Sequence, residues 1–248
     1  ADHRGLPGGP AVAAVKLLLA LLAKGGFGKL LTTGGTMLVS MAVYAISFGW
    51  PYAVGFVLLI LVHELGHYIA ARQHGLNVGA PVFIPFVGAW ISLKETRLEP
   101  EAEARIAMAG PMLGSIAALV CYLLALDGQG RLYMALAQAG FMLNLFNLLP
   151  LAPLDGGRVV GVISPRLWLL GVPLLVALFL WRPSPLLLLI AVVAAPSVWA
   201  ALKGTTPEHA RLARAADRFR YAAQYLLLAA ALGVMGHEAH EWLLHGAR

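Results

Sequence analysis

Two histidines and a glutamate stand inside a strongly apolar stretch of the chain, PYAVGFVLLILVHELGHYIAARQHG, residues 51–75. On a helix that turns about 100° per residue, His63 and His67 project only about 40° apart, so both imidazoles can reach one tetrahedral ion. This is the spacing of a two-histidine zinc site, in which the intervening Glu64 acts as general base rather than as ligand. Because an ionisable residue at membrane depth is costly, the motif predicts an intramembrane zinc site.

A catalytic zinc needs a third protein ligand and one open position. Among the acidic residues, Asp155 stands out because it follows an apolar run, in FMLNLFNLLPLAPLDGGRVV. Pro150 and Pro153 stop a helix there, and Gly156 with Gly157 permits unusual dihedral angles, so the backbone can aim a carboxylate sideways. The alternative is that Asp155 caps the next helix. Asp155 is the candidate third ligand.

The composition indicates a polytopic membrane protein. Of 248 residues, 60% are hydrophobic and 12% are charged, against roughly 25% charged in a soluble domain. The net charge of +6 is scattered between apolar segments, which argues against nucleic-acid binding. The single cysteine, Cys121, excludes an intrachain disulfide. The first residues, ADHRGLPGGP, do not read as a signal peptide.

The apolar runs predict an all-α fold with six or seven transmembrane helices. A bilayer requires roughly 20 apolar residues for each span. The candidate spans are 30–48, 51–71, 106–126, 132–149, 167–181, 186–202 and 219 to about 242. We expect an interfacial N-terminal segment over 1–29, a protease core over 30–203, and an amphipathic segment with a last membrane helix over 204–248.

The basic residues predict the orientation. Seven spans leave all but three of the 18 Lys and Arg residues on one side, the exceptions being Arg131, Arg182 and Arg248. The positive-inside rule makes that side cytoplasmic, together with the N-terminus. HELGH and Asp155 then lie toward the cytoplasm, and the Ala, Leu, Gly and Arg bias is compatible with a bacterial inner membrane.

The segment after HELGH, NVGAPVFIPFVGAWISL, is apolar and β-branched but is broken by two prolines and two glycines. It cannot form a helix of useful length. We expect short strands, or a re-entrant hairpin that enters the membrane from the cytoplasmic side, because non-helical backbone is tolerated at depth where protein covers it. The alternative is a loop on the membrane interface.

HELGH in a membrane helix, followed far downstream by Asn147, Pro150 and the triplet Leu154-Asp155-Gly156, resembles the site-2 protease family of intramembrane zinc metalloproteases, the M50 peptidases. The resemblance covers about 50–160 and includes FIPFVGAWISL and an Ala109-Gly110-Pro111 turn within the third span. The two motifs, in this order and separated by a further span, are specific as a pair.

The resemblance implies roles for individual residues. It makes His63, His67 and Asp155 the ligands of one Zn²⁺, Glu64 the general base that activates the water at the zinc, and Asn147 a group that hydrogen-bonds the substrate. Asn144, one turn earlier, is a further candidate for the role of Asn147. The implied reaction is hydrolysis of peptide bonds in or near transmembrane segments of membrane-protein substrates.

A substrate helix hides its carbonyls in its own hydrogen bonds and must unwind before it is cleaved. We expect 82–93 to offer a strand edge to the unwound substrate. Gly88, Ala89 and Trp90 are the predicted contacts, with Gly88 keeping the approach open. No PDZ-like or CBS-like domain is visible, so the motifs do not indicate how cleavage is regulated, and they do not predict the oligomeric state.

A second polar cluster, HEAHEWLLH at 237–245, has His237 and Glu241 four residues apart, a spacing that can bind a metal. Its sequence does not match His-Glu-x-x-His in either direction. The seven-span arrangement places it on the opposite side of the membrane from Asp155. We expect a solvent-facing helix end.

Two other classes of function remain open. A proteolytically inactive homologue would bind transmembrane helices and would have no use for a base such as Glu64. A metal transporter would place polar residues along a path through the bundle, whereas the histidines and acids at membrane depth collect at one level here.

Overall fold

The computed structural model describes residues 26–79, 82–84, 88–90, 98–204 and 214–246. The predicted interfacial segment lies almost entirely outside these residues, as does most of the amphipathic stretch that follows residue 204. Over its described part the protein is mostly helical.

Eight α-helices occupy the described residues. They are α1 (Gly26–Phe48), α2 (Trp50–Gln73), α3 (Pro100–Leu124), α4 (Arg131–Asn147), α5 (Asp155–Ile163), α6 (Gly171–Trp181), α7 (Pro185–Leu202) and α8 (Ala215–His245). A π-helical turn, Ala125–Gln129, follows α3, and a 3-10 helix, Pro165–Leu170, precedes α6.

Four of the described helices are long and apolar enough to cross a membrane. They are Trp50–Gln73, Pro100–Gly128, Pro185–Leu202 and Asp217–His245. This supports a multi-pass membrane protein. Six of the seven predicted spans each lie largely within one α-helix, whereas the span predicted at 167–181 divides between the 3-10 helix and α6. The number of six or seven membrane crossings stays a prediction.

Helix α2 carries HELGH midway along its length. It begins after Gly49, whose φ of 81° breaks the chain away from α1, and Pro51 occupies the first turn. It ends with Arg72 in the last turn, before Gly75 at φ 74°. Its polar motif faces α3 and α4, which supply the partners of the two histidine rings.

Helix α3 is the central element of the bundle, in contact with α2, α4 and α5. It begins at Pro100, before the predicted span, and continues through Pro111. The predicted turn at Ala109-Gly110-Pro111 is therefore wrong. Proline removes a single helical hydrogen bond, and neighbouring helices in an apolar bundle can tolerate that loss.

Small side chains form much of the core where α3, α4 and α8 meet. The buried members of this cluster include Ala107, Ala118, Met134, Ala137, Phe141, Leu232 and Ala239. Alanines at these positions let the helix backbones approach closely, which brings α4 near α2 and α3.

The chain turns sharply between α4 and α5. The Tyr225 hydroxyl on α8 donates to the Leu148 carbonyl just beyond the end of α4. The Ala152–Pro153 peptide is cis. Helix α5 then starts at Asp155 and packs on α3 and α8. This turn directs the first residue of α5 back into the bundle.

Two short strands follow α2. Strand β1 (Val82–Ile84) pairs antiparallel with β2 (Gly88–Trp90), with Val82 opposite Trp90 and Ile84 opposite Gly88. Strand β1 lies against α1, and β2 lies near α2. The position of this pair at membrane depth stays a prediction, and residues 91–93 of the predicted strand segment lie outside the described residues.

Candidate metal centre

Three side chains from two distant segments meet at one point. Helix α2 contributes His63 and His67, and α5 contributes Asp155. The His63 and His67 Nε2 atoms are 3.1 Å apart, and the Asp155 Oδ2 atom is 3.2 Å from the first and 3.1 Å from the second. The described residues contain no other group of three His, Cys, Asp or Glu side chains placed to share an ion. The three predicted ligands therefore converge.

This arrangement fits a zinc ion. Tetrahedral zinc with bonds of about 2.0 to 2.1 Å separates its ligand atoms by about 3.3 Å, close to the observed spacing. Two imidazole nitrogens and one carboxylate oxygen are also a common donor set for a catalytic zinc, which keeps its fourth position open. Three electron-pair donors at these distances would be stabilised by a cation between them.

His67 is oriented by the backbone of α3. Its Nδ1 atom lies 2.7 Å from the Ile106 carbonyl oxygen. A carbonyl only accepts, so Nδ1 carries the hydrogen and the Nε2 electron pair faces the centre. A side-chain Cβ at Gly110 would overlap His67 Nε2, so α3 leaves space for the ring only because this residue is glycine.

His63 is oriented by a side chain. Its Nδ1 atom lies 2.8 Å from Oδ1 of Asn144, which is buried on α4. Sequence reasoning considered Asn144 only as a second substrate-binding group. The available signal was an amide in an apolar helix, which needs a polar partner.

The two oxygens of Asp155 face different partners. Oδ2 faces the imidazoles, whereas Oδ1 is 3.8 Å from the Arg158 guanidinium, whose Nε donates to Glu103 Oε1 at 2.6 Å. As a metal ligand, the Asp155 carboxyl must be ionised. Asp155 is not the N-cap of α5, because it is the first residue of the helix and Leu154 holds the cap position.

Glu64 is buried beside the ligands on α2. It follows His63 directly in the chain, so the predicted base lies next to a candidate ligand.

The predicted substrate-binding residues lie on α4 and on β2. Asn147 is half-buried, and its Nδ2 donates to the Leu143 carbonyl of its own helix at 3.1 Å. Gly88, Ala89 and Trp90 form β2, near α2. Their roles in substrate binding stay predictions.

The C-terminal histidines do not form a second centre. His237, His240 and His245 are exposed on α8. His240 bonds Gln138, and His245 pairs with Glu241 at 3.2 Å. The predicted solvent-facing helix end agrees with these contacts.

Residues 51–131 match the family model described as Peptidase family M50. Zinc metalloprotease MJ0392 of Methanocaldococcus jannaschii is 31% identical over 139 residues, which are 52% of this chain and 39% of that protein. Putative zinc metalloprotease Rip3 of Mycobacterium tuberculosis is 37% identical over 116 residues, 44% of this chain and 29% of that protein. The chain thus spans less than half the length of these two relatives.

A solved structure, Site-2 Protease from Methanocaldococcus jannaschii, aligns with 72% of this chain and 88% of its own, at 21% identity and a TM-score of 0.44. Putative zinc metalloprotease MJ0611 of the same organism is 28% identical over 170 residues, 55% of this chain and 88% of that protein. The resemblance to the site-2 protease family, the M50 peptidases, that the two motifs predict is confirmed.

Proposed function

We propose that this chain is the catalytic core of an intramembrane zinc endopeptidase of the site-2 protease type. It would hydrolyse peptide bonds in or near the transmembrane segments of membrane-protein substrates. The observation that carries the proposal is a convergence of side chains. His63 and His67, on an apolar helix that also carries Glu64, meet Asp155 from the start of α5. The family resemblance supports the same reaction.

The residues divide the chemistry between them. A zinc ion held by His63, His67 and Asp155 would supply a Lewis acid that polarises the scissile carbonyl and lowers the pKa of water to about 7. Glu64 accepts the proton of the attacking water and then gives it to the leaving amine nitrogen. His63, Glu64 and Asp155 are buried, so little bulk water reaches this exchange, and each electrostatic contact is strengthened.

The substrate must present an extended segment to this centre. The β1–β2 pair supports strand addition because β2 lies close to α2, the helix that carries the ligands. In this proposal Gly88, Ala89 and Trp90 hold the unwound segment, and Asn147 hydrogen-bonds it near the zinc. The distribution of basic residues supports a site that opens toward the cytoplasmic side of a bacterial inner membrane.

The described residues do not favour a transporter. Their buried polar or charged side chains are Ser40, His63, Glu64, Asn144 and Asp155. Apart from Ser40, all of these belong to the candidate metal centre, so the most buried polar groups cluster at one place and not along a path through the bundle. A carboxylate at the Glu64 position favours catalysis over helix binding alone.

The test uses the purified chain in proteoliposomes, with a panel of synthetic single-span peptides that carry a Gly-Gly break in the membrane segment. Glu64→Gln is the matched variant because it preserves shape and all three ligands. We expect about one zinc per chain in both proteins, with cleavage about 10²- to 10⁴-fold slower in the variant. Peptide binding without cleavage by the wild type would favour the inactive homologue, and zinc flux into the vesicles would favour the transporter.

The strand is tested separately by Ala89→Pro, which removes one backbone N–H from β2. Ala89→Val is the control, because it keeps that N–H and suits a strand. We expect the proline variant to cleave the peptides at least about tenfold more slowly with its zinc content unchanged. Equal cleavage by all three proteins would show that the substrate does not use this strand.

A further inference from the structure

Asn144 is the most enclosed polar side chain of the metal centre, with 1% of its surface exposed. It lies on α4, and its amide reaches across to α2. The Oδ1 atom is 2.8 Å from His63 Nδ1, and the Nδ2 atom donates to the Gly140 carbonyl at 2.7 Å. Both ends of the amide therefore have partners inside the protein.

These two contacts decide which way the amide points. The Gly140 carbonyl only accepts, so the NH₂ group must face it and the amide oxygen must face His63. An oxygen at that position accepts a hydrogen from Nδ1 of the ring. His63 is thereby held as the Nδ1–H tautomer, and its Nε2 electron pair is directed at His67 and Asp155.

Helix α3 leaves room for this amide at one residue. A Cβ at Gly114 would overlap the side-chain oxygen of Asn144, and the three nearest atoms to that Cβ all belong to Asn144. Gly114 lies one turn beyond Gly110, which makes room for His67 in the same way. One face of α3 thus accommodates both His67 and the partner of His63.

We propose that Asn144 is a positioning residue for the metal, which sets the tautomer and the ring orientation of His63, and that it is not a substrate-binding group. Asn147, one turn further along α4, differs because its amide bonds only its own helix and it is half-buried. The inference rests on the metal centre of the proposed function but not on peptide cleavage.

The test is a zinc titration of the purified chain in detergent. Asn144→Leu keeps the side-chain volume and removes the acceptor, and Asn147→Leu makes the same change one turn away. We expect the zinc Kd to rise about 10- to 100-fold in Asn144→Leu, as for other partners of metal-bound histidines. Asn147→Leu is expected to keep the wild-type Kd, whatever its effect on cleavage.

Nitrogen-15 NMR of the zinc-loaded protein separates positioning from general loss of structure. His67 is an internal control because its Nδ1–H is held by the Ile106 carbonyl, which the substitution does not touch. In Asn144→Leu we expect the hydrogen-bonded Nδ1 proton of His63 to shift or to exchange rapidly, while that of His67 persists. Wild-type affinity, or an unchanged His63 signal, would overturn the inference.

A smaller substitution covers the case in which leucine prevents folding. Asn144→Ala introduces no overlap and should weaken zinc binding to a similar extent. Gly114→Ala should weaken zinc binding when it is introduced into the wild type. In Asn144→Ala it should cause no further loss, because the Asn144 amide that the new Cβ would overlap is already absent. Equal losses from Gly114→Ala in both backgrounds would contradict the inference. If zinc binding depends on Asn144 and no peptide is cleaved, only the proposed function fails.

Discussion

The chain carries two clusters of histidine and glutamate on helices, and they differ in almost every physical respect. At HELGH, two histidines four residues apart contact α3 and α4 and meet an aspartate from another helix. At HEAHEWLLH, the histidines are exposed near the end of α8 and bond a nearby glutamine or a glutamate of their own helix.

The comparison shows why helical spacing alone does not make a metal site. A single helix places two ligands on one face, but a stable centre needs a third ligand from elsewhere and buried partners that fix the rings. His63 and His67 have both, from α5, α4 and α3. The exposed side chains at 237–245 can make hydrogen bonds and ion pairs with water and neighbouring residues without a metal ion.

The strongest test of this comparison removes one candidate ligand from each cluster. We expect Asp155→Ala to lower zinc content from about one per chain to below about 0.1, because two imidazoles remain without the anionic ligand. His237→Ala should leave the content unchanged. The measurement is elemental analysis of the purified proteins after dialysis. Retained zinc in Asp155→Ala would remove this residue from the centre.

A second test fills space rather than removing a ligand. Gly110→Ala should weaken zinc binding by about tenfold or more, because the new Cβ overlaps His67 Nε2 and displaces the ring. Gly233→Ala on α8 is the matched control, since its Cβ would meet no atom within 4 Å. Competition with a chromogenic chelator gives both affinities. Equal affinities would mean that the ring adjusts without losing its ion.

The smallest expected effect concerns the ion pairs at the start of α3. Glu103→Gln removes the negative charge that Arg158 meets at 2.6 Å and should lower the free energy of unfolding by about 1 to 2 kcal/mol, after allowance for partial exposure. Glu101→Gln removes the 3.0 Å pair with Arg214, which is 85% exposed, and should have no measurable effect. Unfolding in a detergent series measures both, and a larger loss in Glu101→Gln would reverse the ranking.

The two asparagines of α4 mark the limit of prediction from sequence. The resemblance singled out Asn147, because it matches the family motif. The structure brings Asn144 to His63 and leaves Asn147 bonded within its own helix. The two residues differ by three positions, so they face somewhat different directions, and only the packing of α4 against α2 and α3 distinguishes their surroundings.

Helix positions were predictable because a long apolar segment in a bilayer must hydrogen-bond its own backbone, and a helix does this within one segment. The short helix α5 and the uninterrupted course of α3 through Pro111 were not predictable. Each depends on neighbours that compensate for irregular backbone, and a sequence pattern does not reveal those neighbours.

The sequence by itself determined which residues can form a metal site. Two imidazoles and a carboxylate at helical spacing in an apolar run, with an aspartate after a proline-rich turn, already predict a zinc site, because helix geometry is local. Tertiary structure decided which groups position the two histidine rings. The Ile106 carbonyl, the Asn144 amide and the space at Gly110 and Gly114 act between helices, and contacts of that kind arise only from packing.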